Sequence, residues 1–210
     1  THSLLFVTAH PLVIIVGLWL LGRPASGKEI IGALLGFTGA ALAIMGAGSE
    51  EGVSVLGDML AFLGAVAIVG YLAAGRTLRE WMPLFLYAFP VTLIAAIGLS
   101  ISAMIIEGAP LGMVSTGLLG WSMLIWLPYI AYLALGPGLF GHTGINAVLR
   151  WLPPLVVSVT LVMEPLIGSL IGWILGLDSI PGMWTWLGGP LMIAGTLLVT
   201  LELAKGDEEE

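Results

Sequence analysis

Glu164 is the residue whose setting most demands a function. It falls near the middle of an apolar run, 154–176, that is long enough to cross a bilayer core. At about 1.5 Å of rise per residue it lies roughly 15 Å from either end of that run. An ionisable group at such depth costs at least about 2.5–3.5 kcal/mol, and groups of this kind face a bundle interior or a watery cavity. Two roles fit: a protonatable coupling group, or a structural acid hydrogen-bonded to a neighbouring helix.

His142, Asn146 and Arg150 recur at four-residue intervals just upstream, which places them along one face of the preceding helix. The first two suit either interhelical hydrogen bonding or the wall of a polar cavity, and Arg150 suits an anchor at the helix end. His10 stands before Pro11, which weakens the helical ladder, so it either caps a loosened carbonyl or relays protons. Tyr132 and Thr160 complete the candidate cavity residues. Tyr71, Tyr129, Trp121 and Trp126 fit an interfacial belt or a cavity wall equally well. Asp58 reads as a first-turn acid favoured by the helix dipole. There is no HExxH, GxSxG or paired catalytic aspartate motif, and no metal or cofactor is expected.

Long apolar helices must carry these groups. Of 210 residues, 59% are hydrophobic and 9% charged, and the mean hydropathy is +1.09. No ordinary soluble domain has this composition; it is that of an all-α, polytopic membrane protein whose first partner is the lipid bilayer. Gly 30 is about twice average usage, as expected where membrane helices approach through small residues. The absence of Cys excludes disulfide and thiolate chemistry. The net charge of −7 comes partly from the tail, 207–210, and implies no nucleic-acid partner. Thr1 opens straight into an apolar stretch without a basic leader, which reads as an internal cut, not a signal peptide.

Seven helices are predicted, over 3–22, 29–47, 55–75, 83–106, 126–149, 154–176 and 184–203. A polar link at 48–54 carries Glu50 and Glu51, a charged turn spans 76–81, and an acidic tail, 204–210, should be solvated. The stretch 107–121 fits an interfacial segment or an early start to the next helix. If the seven helices cross alternately, Arg23, Lys28, Arg76, Arg79, Arg150 and Lys205 share one side. Glu50, Glu51, Glu107 and Asp178 take the other. The positive-inside bias then makes the basic side, and the C-terminus, cytoplasmic.

An internal repeat sharpens this picture. HPLVIIVGLWLLG from His10 aligns with EPLIGSLIGWILG from Glu164, pairing Pro11 with Pro165, Trp19 with Trp173 and Gly22 with Gly176. The following helices continue the repeat, since Gly32 and Gly39 share their spacing with Gly188 and Gly195. By the charge argument the two copies cross in opposite directions, the inverted architecture of many secondary transporters. His10 and Glu164 occupy equivalent positions. Residues 55–203 then form one five-helix repeat and 1–47 the last two helices of its partner, with roughly three helices, about 100 residues, preceding them. Gly168, Gly172 and Gly176 form one glycine ridge, and Gly32, Gly36 and Ala40 another; both read as packing seams.

The chain resembles the EamA-like families of the drug/metabolite transporter superfamily along its whole length, as their fourth to tenth helices. The resemblance is carried by HPLVIIVGLWLLGRP, IIGALLGFTGAALAIMG and LGDMLAFLGAVAIVGYLAAGR, and most strongly by GHTGINAVLRWLPPLVVSVTLVMEPLIGSLIGWILG with LGGPLMIAGTLLVT. Those families often place a Glu after the Leu-Gly closing the fourth and ninth helices; Gly22-Arg23 and Leu177-Asp178 stand here. The resemblance implies ten helices in two inverted repeats and an exporter of small metabolites or drugs working by alternating access, not an enzyme. Protons are then a candidate coupling ion. The rival readings are a seven-helix receptor or retinal protein, though the last helix here has no interior Lys for a Schiff base, and an intramembrane hydrolase using His142, Asn146 and Glu164.

Overall fold

A computed structural model describes residues 2–45, 54–112, 117–177 and 179–209. Most of the link with Glu50 and Glu51, Asp178, and residues 113–116 of the uncertain stretch lie outside the described residues. Among those described the structure is all-helical, with no strand. Five segments are long and apolar enough to cross a membrane: Gly27–Met45, Val55–Arg79, Leu84–Ile106, Pro154–Ile174 and Met183–Lys205. The protein is therefore a multi-pass integral membrane protein, a setting in which exposed Leu, Ile and Phe side chains are expected. None of the most apolar stretch of Leu84–Ile106 is buried within the protein.

The chain forms two compact units, residues 1–74 with 152–210, and residues 75–151. In the first, α1 (His2–Val7) and α2 (His10–Leu20) build the first predicted span in two pieces. They lead to α3 (Gly27–Met45) and α4 (Val55–Arg79), whose last residues enter the second unit. The chain returns through α8 (Pro154–Leu161), α9 (Glu164–Ile174) and α10 (Met183–Glu209). Helix α3 begins two residues before its predicted start because Ser26 and Glu29 form a capping box. The Ser26 N–H donates to Glu29 Oε2 at 2.6 Å, and the Glu29 N–H donates to Ser26 Oγ at 3.2 Å. The last helix also runs past its expected end at 203: α10 stays helical to Glu209, through Gly206.

Helices α3 and α10 form the main seam of this unit, and glycine makes it possible. A Cβ on Gly39 would lie 2.5 Å from the Gly188 carbonyl oxygen, and one on Gly32 would lie 2.8 Å from that of Gly195. The numbers rise along α3 as they fall along α10, so the two helices run antiparallel. With no side chain between them, backbones meet directly, the arrangement membrane helices use where apolar burial gives no driving force. Around the seam, Ala40, Ala43, Val162, Leu166 and Met192 make the buried core. Lys28 closes one end through an ion pair with Glu202 at 2.8 Å.

The second unit holds α5 (Leu84–Ile106), a single tight turn at Gly120–Ser122, then α6 (Leu127–Leu133) and α7 (Gly144–Val148). Between α6 and α7 the chain winds as a π-helix over Ala134–Thr143. Pro137 inside it has no N–H and would crowd the carbonyl four residues back, and a wider turn relieves both problems. The end of α7 is held by two arginines of α4. Arg79, buried, donates from Nε to the Asn146 carbonyl at 3.0 Å and also binds the Met82 carbonyl. Arg76 donates to the Leu149 carbonyl at 3.2 Å and to that of Arg150. Cations at a helix C-terminus satisfy orphan carbonyls and oppose the dipole. From sequence these arginines belong to a charged turn; their binding of carbonyls is structural.

Candidate functional site: two matched helix breaks

Helices α2 and α9 start and stop at equivalent positions. Adding 154 to the bounds of His10–Leu20 gives Glu164–Ile174. Both begin after a one-turn interruption, at residues 8–9 and 162–163. The hydrogen bonds through the breaks correspond as well. The Ala9 N–H donates to the Phe6 carbonyl at 3.3 Å, and the Met163 N–H to the Thr160 carbonyl at 3.0 Å. Both helices end alike, with Gly22 and Gly176 in the left-handed region at φ 71° and 68°, a conformation that favours glycine.

Proline in the second position of each helix accounts for the breaks. Neither Pro11 nor Pro165 has an N–H to give, so the carbonyls of Val7 and Leu161 lose their i+4 partners. In hydrocarbon such carbonyls are costly unless other groups or water meet them, and interrupted helices accordingly line cavities in membrane proteins. The first residue of each interrupted helix is the ionisable one, His10 in α2 and Glu164 in α9.

His10 is buried at 4% exposure, and a 2.6 Å hydrogen bond joins its Nδ1 to Ser158 Oγ on α8. Sequence reasoning missed Ser158, because a lone serine in an apolar helix carries no signal of its partner. Glu164 is exposed at the first turn of α9, where a carboxylate also suits the positive end of the helix dipole. Thr160, exposed, donates to its own helix at the Val156 carbonyl, 2.8 Å away.

His142, Asn146 and Tyr132 belong to the other compact unit. Of the three residues at four-residue spacing, Asn146 is 1% exposed, whereas His142 and Arg150 are exposed. Arg150 stacks over Trp151 at 5.9 Å, as an anchor at a helix end would. Tyr132 is exposed, as is Tyr129, whose ring lies 6.1 Å from that of Trp126. Among the predicted packing glycines, Gly32 and Gly36 lie buried in the α3–α10 seam. Gly168 faces open space, and Gly176 is a helix terminator with nothing near it; Gly172 is half-buried. Among the described residues no cluster of three or more His, Asp or Glu could hold a metal ion.

Breaking the buried pair tests its weight. His10→Leu and Ser158→Ala are each expected to lower stability in detergent by about 1 kcal/mol, with a coupling of roughly 0.6–1.7 kcal/mol in the double-mutant cycle. Strict additivity would show that the hydrogen bond contributes nothing.

No protein-family model, no curated protein and no solved structure matches the chain.

Proposed function

We propose that the protein is a secondary transporter of small metabolites or drugs, built like the EamA-like transporters from inverted five-helix repeats. The matched interruption of α2 and α9 carries this reading. Discontinuous helices at corresponding positions of two repeats mark the substrate and coupling-ion site in many such transporters. His10 and Glu164 would face that site, one from each repeat, with Thr160 as a further cavity candidate.

The glycine seam supports the same symmetry. The repeat pairs Gly32 with Gly188 and Gly39 with Gly195, whereas the contacts join Gly32 to Gly195 and Gly39 to Gly188. Exchanging the two helices turns one contact into the other, as a two-fold axis between antiparallel helices requires. Seven crossings, counting α1–α2 and α6–α7 as one each, put every Lys and Arg on one side; the positive-inside rule makes it cytoplasmic, together with the C-terminus.

Purified protein in liposomes containing an entrapped pH dye tests the activity. With an imposed pH gradient, pools of small metabolites are expected to accelerate proton flux over that of the protein alone. Flux indifferent to every pool, at rates matching empty liposomes, would remove proton-coupled transport.

A further inference from the structure

The first unit contains a groove of about 360 Å³ lined by the end of α2, the start of α3, the second half of α4, the start of α8 and the end of α10. Along α2 it extends from Leu21 down to Ile14, roughly 10 Å at 1.5 Å per residue, or most of one leaflet's hydrocarbon depth. Its walls there are apolar, including Leu18, Val69 and Leu203. Two charged residues, Arg23 and Glu29, line it beyond the end of α2. They form no ion pair with each other. Arg23 is exposed and has no carboxylate partner among the described residues, while the neighbouring Lys28 is taken by Glu202. Glu29 uses Oε2 on the Ser26 N–H, which leaves its other oxygen available.

We propose that this groove is a phospholipid site selective for head groups bearing both a phosphate and a primary ammonium, with the phosphate on Arg23, the ammonium on Glu29 and one acyl chain along α2. Charge complementarity selects the occupant. Phosphatidylglycerol satisfies Arg23, but its neutral glycerol brings no positive charge to the Glu29 carboxylate. A choline lipid offers the phosphate, but its quaternary ammonium has no N–H to donate to Glu29. Phosphatidylethanolamine satisfies both charges, and the membrane supplies it at the depth where the groove opens. The assignment needs only a membrane-embedded chain and is independent of the transport reading.

Native mass spectrometry of the delipidated protein, offered equal amounts of phosphatidylethanolamine, phosphatidylglycerol and phosphatidylcholine, provides the test. Wild type is expected to retain phosphatidylethanolamine about fivefold over the other two, the scale of one charge-assisted hydrogen bond near a surface. Arg23→Gln should weaken retention of all three. Glu29→Gln keeps the capping box, which accepts either residue, and should erase only the preference for phosphatidylethanolamine. Equal retention of the three lipids by wild type would overturn the proposal, as would a preference that survives Glu29→Gln. Failure to retain any lipid, as when another part of the assembly fills the groove, would overturn it too.

Discussion

Gly188→Leu will separate α3 from α10 and leave little folded protein after extraction into detergent. Even a bare Cβ at position 188 would collide with the Gly39 carbonyl oxygen and come within 3.2 Å of the Ala43 amide nitrogen. Both are backbone atoms of a helix, so neither can turn aside as a side-chain tip could. The helices must move apart, and the contacts of Ala40, Ala43 and Met192 with Val162 and Leu166 are lost along with the seam. Overpacking of a tight core costs about 1–3 kcal/mol, and a rigid backbone neighbour puts this case at or above the upper end. Gly168→Leu is the matched control, since a Cβ there meets nothing within 4 Å. The two variants should differ sharply in the thermal midpoint measured by fluorescence size exclusion. Equal midpoints would show that the α3–α10 seam is not the source of stability.

Glu164→Gln will abolish gradient-driven transport while leaving the protein folded. The substitution keeps the size of the side chain and a hydrogen-bonding amide at the start of α9, but removes the group that can bind and release a proton. The helix break before Glu164 depends on Pro165, which is untouched, so the geometry persists. Since Glu164 is exposed, its exchange leaves no buried partner unsatisfied and should change stability by less than about 0.5 kcal/mol. Proton-coupled flux in the liposome assay should fall roughly a hundredfold or more, the scale on which single proton-transfer groups count. Exchange of cargo across the membrane without a gradient should survive. Wild-type coupled flux in the variant would reduce Glu164 to a first-turn acid that stabilises α9.

Apolar length and proline position were legible in the sequence because each acts locally. Twenty apolar residues make a span, so the five long spans and the ends at Gly22 and Gly176 could be read directly; the His-Pro and Glu-Pro steps interrupt their helices, whereas α5 and α10 run on through Pro90 and Pro190. Placement of polar groups was less legible. The hydrogen-bond partner of His10 is Ser158, a contact across 148 residues of chain that no pattern in the sequence announces. Asn146 and His142 differ in burial, which a four-residue spacing in the sequence does not announce. The glycine seam was half legible. Gly32 and Gly36 gave the ridge on α3, yet its partner was α10 and not the more regular Gly168–Gly172–Gly176 ridge, since spacing alone does not say which ridge finds a neighbour.

The central claim, inverted repeats meeting at paired breaks, is tested most directly by sidedness. With no native Cys, single replacements can be labelled without background. Ser26→Cys and Lys205→Cys should react with an impermeant maleimide only when the cytoplasmic face is open to it, and Ser54→Cys and Ser179→Cys only from the opposite face. That pattern makes the helix ending at Gly22 and the helix ending at Gly176 cross in opposite senses. Labelling of Ser26→Cys and Ser179→Cys from the same side would set the two parallel and contradict the account.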